Sequence, residues 1–105
     1  YRYNKRPRIS YLRNFLNFFL IWEARDREDG QDLQYVYRVN KGEWSSPTYN
    51  YYVPTLMLAD QHNLPIGFHI FEVKAIDSQD KESRPRSIRF YNFYDIDFMR
   101  EKGSL

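Results

Sequence analysis

A chain of 105 residues has room for one hydrophobic core and excludes two, because a domain of this size buries roughly 60 to 70% of the surface its unfolded form exposes. Its 16 basic residues against 14 acidic ones leave a formal charge of +2, which excludes a strong uniform field that would recruit nucleic acid or anionic lipid. Cys is absent, so there is neither a disulfide nor thiolate chemistry, and stability must come from burial and backbone hydrogen bonding.

Aromatic residues make up 19% of the chain and recur in short runs broken by polar or Pro/Gly clusters, the spacing of strands in an all-β fold. The first run, Arg8 to Leu12, follows Pro7, whose fixed φ and missing donor suit the start of an edge strand. In the second, Phe15 to Arg25, Leu20, Trp22 and Ala24 alternate with Phe19, Ile21 and Glu23, so one set faces the core. Its apolar part is interrupted by Asn17 and is far shorter than the roughly 20 residues a bilayer span needs, so no membrane insertion is expected within this segment.

The acidic stretch 26–32, with its Asp29-Gly30 step, reads as a turn. Leu33 to Asn40 then alternates cleanly, placing Leu33, Tyr35, Tyr37 and Val39 on one face. A Tyr-rich run from Tyr49 to Val53 meets Pro54 and reads as an edge or broken strand, and Thr55 to Ala59 as a further short one. Leu64-Pro65-Ile66-Gly67 forms a corner, with Gly67 supplying an unusual backbone angle. Phe68 to Asp77 is the most regular strand pattern, with His69, Phe71, Val73 and Ala75 on one face. After a polar loop, Ser78 to Pro85, the last strand runs from Arg86 to Tyr94, with Ile88 and Phe90 opposite Arg89 and Tyr91. About seven strands over residues 1–94 make a two-sheet antiparallel sandwich, and 95–105 is a tail, a frayed helix or a linker.

Three phrases stand in order: Trp22-Glu23-Ala24-Arg25-Asp26 with Asp29-Gly30; Leu33 to Val39 followed by Gly42-Glu43-Trp44-Ser45; and Leu64-Pro65 through Gly67, His69, Phe71, Val73 and Ala75 to Asp77. Together they resemble the bacterial fibronectin type III or immunoglobulin-like modules over roughly residues 7 to 93. The last two phrases are also similar to the three-tyrosine domain that follows the sensor propellers of some two-component regulators. The third tyrosine of that domain falls here on His69, a departure that favours the generic module. In either family the position is a corner residue bonding back to the preceding turn, which an imidazole N–H can also do.

Chemistry is sparse. His62 and His69 are the only imidazoles, and no nucleophile or carboxylate is placed beside either by sequence, so no catalytic residue is expected. His69 reads as structural, with Trp22, Tyr35, Tyr37, Gly67 and Phe71. Asp26, Asp29 and Asp32 offer oxygen ligands of the kind Ca²⁺ takes, without the spacing of an EF-hand, and no metal or other cofactor is expected. The basic opening, Arg2, Lys5, Arg6 and Arg8 with Tyr1 and Tyr3, reads as a solvated terminus and not as a nucleic-acid site.

The residues expected to make contacts are Phe19, Ile21, Tyr49, Tyr51, Tyr52 and Tyr91, because exposed apolar clusters mark contact surfaces and Tyr pairs an apolar ring with a polar tip. The reading is a non-catalytic module of a larger extracellular, cell-surface or periplasmic protein that spaces or docks neighbouring domains of the same polypeptide or another protein. A sensor or signal-relay domain is the alternative, and binding of a polysaccharide the third.

Overall fold

The computed structural model describes residues 6–14, 17–24 and 33–105. Its elements, in chain order, are β1 (Arg8–Asn14), β2 (Asn17–Glu23), β3 (Gln34–Val39), β4 (Tyr52–Pro54), α1 (Thr55–His62), β5 (Gly67–Ile76), β6 (Arg86–Asn92) and α2 (Ile96–Glu101). They build two antiparallel three-stranded sheets, one ordered β1-β2-β4 and the other β3-β5-β6, in a β-sandwich-like arrangement.

Period-two alternation drives the packing. Leu20, Trp22 and Val53 turn inward from the first sheet, and Tyr35, Val39, Phe71, Val73, Ala75 and Phe90 from the second. Trp22 is the hub: its indole centroid lies 6.1, 5.7 and 5.6 Å from the rings of Tyr35, Tyr37 and Phe71, all tilted or edge-on. Such offset contacts suit the ring quadrupole and add about 1 kcal/mol each to simple area burial.

Six strands are present among the described residues, not seven, and the reason lies beside β3. Asn40 and Lys41 both take positive φ, 53° and 62°, and the Gly42 amide closes on the Val39 carbonyl at 3.0 Å, so a tight reversal follows the strand. The returning chain then touches the free edge of β3 at separate points: the Ser45 amide donates to the Tyr37 carbonyl, and Tyr35 and Thr48 exchange both backbone bonds. Pro47 has no N–H to give, so this seventh ribbon stays a set of bridges.

Thr55 to Ala59 is helix, not strand. Leu56 and Leu58 mimic alternation, but the buried set is Thr55, Leu58 and Ala59, the i, i+3, i+4 stripe of a helix face. Pro54 keeps the extended chain up to the first turn, and Asn63 ends the helix in the left-handed region at φ 51°, letting the Leu64 amide reach the Ala59 carbonyl at 3.0 Å. The segment after residue 94 carries α2. Asp95 caps it by accepting from the Phe98 amide at 3.1 Å, and Ile96 enters the core. Arg100 then clamps α2 to α1, donating to Asn63 Oδ1 and to the carboxylate and carbonyl of Asp60 at 2.7 to 2.8 Å.

No helix among the described residues is long and apolar enough to cross a membrane.

Candidate interaction surfaces

His69 lies on the inward face of β5, almost fully buried, and both ring nitrogens are engaged. Nε2 is 2.8 Å from the Pro65 carbonyl oxygen, which only accepts, so Nε2 carries the proton. Nδ1 is then an acceptor, and Asn40 Nδ2 donates to it at 2.9 Å. The orientation of that amide is fixed in turn, because Asn40 Oδ1 accepts from the Ile70 amide. Asn92, fully buried, shares its Nδ2 protons among the carbonyls of Leu64, Pro65 and Tyr94. The imidazole therefore joins the reversal after β3 to the corner before β5. Gly67, in that corner, sits at φ 137°, a region L side chains rarely enter.

The middle of the outward face of β3-β5-β6 is charged. Arg38, Glu72 and Ser87 stand in one cross-strand row. Glu72 accepts from Arg38 Nε at 2.8 Å and from Ser87 Oγ at 3.2 Å, with Lys41 Nζ at 3.6 Å. Burial pushes this carboxyl up, but the hydrogen bonds and charges of Arg38, Lys41 and Ser87 outweigh it and hold it below the ordinary carboxylate range. The Trp44 ring lies under both Arg38 and Lys74, with the charges 4.3 and 4.4 Å from its centroid. Val36 shares a face with Arg38 and Lys74, and it is buried, not exposed as alternation alone implies.

The outward face of β1-β2-β4 is the opposite case. Ser10, Ile21 and Tyr52 form one cross-strand row and Leu12, Phe19 and Pro54 the next. Leu12 is 48% exposed, Tyr51 59% and Tyr52 46%, while Phe19 and Ile21 are half-buried between them. The Tyr52 ring meets Phe19 at 6.2 Å and Tyr51 at 5.4 Å, both edge-on. Among the described residues charge enters at the Arg8 and Glu23 end, where a depression of about 490 Å³ is lined by residues that include Arg8, Ser10, Ile21, Trp22, Glu23 and Tyr51.

Of the expected contact residues, four therefore converge on one face: Phe19, Ile21, Tyr51 and Tyr52. Tyr49 is exposed without joining their ring contacts, and Tyr91 belongs to the other sheet, half-buried against Phe68 and Phe93. Asp26, Asp29 and Asp32 lie outside the described residues, as do Tyr1, Arg2, Tyr3 and Lys5. Asp77 spends its Oδ1 on the amides of Gln79 and Lys81, both at 2.8 Å, a turn-forming role. Among the described residues no group of three or more His, Asp or Glu side chains is placed to hold a metal ion.

Sequence reasoning missed Trp44 as the ring packed against Arg38 and Lys74 and Asn92 as the buried clamp of the corner. The Trp-Ser step and an Asn in an otherwise aromatic strand were the only signals.

These features define a sheet-rich, sandwich-like protein in which one outer face carries a buried ionic cluster and the other, among the described residues, is chiefly apolar. No protein-family model matches the chain, and no curated protein matches it.

Proposed function

We propose that this chain is a non-catalytic interaction module of the immunoglobulin or fibronectin type III kind, docking a neighbouring domain or protein within a larger surface or periplasmic assembly. One observation carries the reading: the outward face of β1-β2-β4 presents Leu12, Phe19, Ile21, Tyr51 and Tyr52 as a contiguous apolar patch. Strand rows left to water usually carry polar residues, as the cross-strand row Arg38-Glu72-Ser87 of this same molecule does. Tyr51 and Tyr52 supply what contact surfaces favour, large rigid area with a polar tip and few torsions to freeze.

The fibronectin type III reading is supported by the pairing order, in which the first, second and fourth strands form one sheet and the third, fifth and sixth the other. It is supported too by the corner bond from His69 to Pro65.

Hydroxyl-radical footprinting tests the proposal on the isolated chain and on the natural full-length polypeptide. Oxidation of Leu12, Tyr51 and Tyr52 should fall several-fold in the longer protein while that of Tyr49 and Phe68 stays the same. Equal labelling of all five residues in both forms would remove the basis of the docking reading.

A further inference from the structure

Seventy-nine residues separate Pro7 from Arg86 in sequence, yet Arg86 Nε donates to the Pro7 carbonyl at 3.1 Å. Eighty separate Tyr11 from Tyr91, and the Tyr11 hydroxyl donates to the Tyr91 carbonyl at 3.4 Å. The near-constant offset means that β1 and β6 run side by side in the same direction, joined by side chains. Their segments, 6–14 and 84–94, hold six arginines, Arg6, Arg8, Arg13, Arg84, Arg86 and Arg89, and no Asp or Glu. A chain that is nearly neutral overall thus has a cationic edge. Glu23 stands opposite Arg8 across β1 and β2, but among the described residues no ion pair engages Arg8, Arg84, Arg86 or Arg89.

Rings are interleaved with this charge. Phe68, Tyr91, Phe93, Phe18 and Tyr11 form a chain whose successive centroids are 4.9, 4.7, 5.0 and 5.6 Å apart, leading from the outward face of β5-β6 round the edge to β2 and β1. Phe68 is 61% exposed and Phe93 55%. Arg89 lies 4.5 Å from the Phe68 centroid and Arg13 5.8 Å from that of Phe18.

We propose that this β1–β6 edge binds an acidic polypeptide segment that also carries apolar side chains. Guanidinium forks match carboxylates bidentately, and every basic group here is Arg. The ring contacts decide between polyanions. A sugar ring or a nucleic-acid base stacks on an open aromatic face, but Phe18 is stacked between Tyr11 and Phe93, and Arg89 covers Phe68. Ring edges carry the positive end of the quadrupole and suit carboxylates beside apolar groups. A bilayer is flat, whereas this belt turns from one sheet to the other. The residues that carry the test, Arg86, Arg89 and Phe93, lie in and just after β6 and off the apolar face of β1-β2-β4, so either proposal can fail alone.

The test titrates the 105-residue chain with a random glutamate-tyrosine copolymer, and in parallel with polyglutamate, heparin, oligo-dT and phosphatidylserine-containing vesicles. The copolymer should bind best, weakening steeply between about 50 and 300 mM salt as screening sets in. Arg89→Glu with Arg86→Glu should weaken it by about tenfold or more, and Phe93→Ser should weaken it with little change in salt dependence, while all variants keep a cooperative melt. Absence of copolymer binding, or equal or tighter binding of heparin, oligo-dT or vesicles, overturns the proposal. So does full copolymer affinity in the folded double Arg variant.

Discussion

The imidazole Nε2 of His69 donates to the carbonyl oxygen of Pro65, four residues earlier, at 2.8 Å. That carbonyl has a second donor, Asn92 Nδ2 at 3.1 Å, so corner and last strand converge on one oxygen. His69→Phe leaves the oxygen served but strips Asn40 Nδ2 of its acceptor, at a cost of about 1 to 2 kcal/mol. Asn92→Leu is expected to cost more, about 3 kcal/mol, because three carbonyls lose a donor and the Tyr94 amide loses its acceptor around a side chain that is itself fully buried. Urea unfolding of the two variants checks the order; a reversed order would mean that the corner is held by packing instead.

Stability is expected to fall on both sides of neutrality for different groups. Glu72 titrates lower when folded than when unfolded, so its contribution is present above the ordinary carboxylate value of about 4.3 and is lost as pH drops through its folded value. Glu72→Gln should therefore lower the melting temperature at pH 7 and flatten its decline below about pH 4.5. Tyr11, Tyr35 and Tyr37 are all pushed above the ordinary phenol value, chiefly by burial, to which the Glu23 charge adds at Tyr35 against an opposing backbone contact with Ala24. Their neutral forms belong to the folded state, so stability should fall as pH rises above about 10, and Tyr37→Phe should soften that fall. Melts across pH read both effects.

At Gly67 an added Cβ would meet nothing within 4 Å, so crowding is not what selects glycine there. The backbone angle, φ 137°, does so, and Gly67→Ala should cost about 1 to 3 kcal/mol through strain alone. Asn63 offers the contrast: at φ 51° its strain is smaller, and Asn63→Gly relieves that strain but removes the acceptor of Arg100, so it should change stability by less than about 1 kcal/mol. Chemical denaturation of the pair separates these effects, and a neutral Gly67→Ala would show that the corner relaxes.

Strand positions and inward faces were legible because a half-buried ribbon writes its burial into every second residue: Tyr35, Tyr37, Phe71, Val73 and Phe90 all turn inward as alternation requires. The strand β4 was harder, since Tyr49 to Val53 offers four β-favouring residues and only Tyr52–Pro54 pair, against Phe19 to Ile21 of β2. The α1 segment was misread because Leu56 and Leu58 satisfy period two as well as a helical stripe does, and eight residues are too few to separate the periods. Of the contact residues, Phe19 with Ile21 was readable as the face opposite Trp22, whereas the arrival of Tyr52 beside them depends on a pairing 31 residues distant.

By itself the sequence determined which residues could not remain in water and, through the two-residue period, which side of each ribbon would hold them. Only the tertiary structure decided that Trp44 packs against Arg38 and Lys74 of the second sheet, and that arginines 80 residues apart share one edge. Local periodicity is a property of neighbours along the chain. Which ribbons lie next to one another is set by long-range burial and pairing, and no short stretch of sequence contains that.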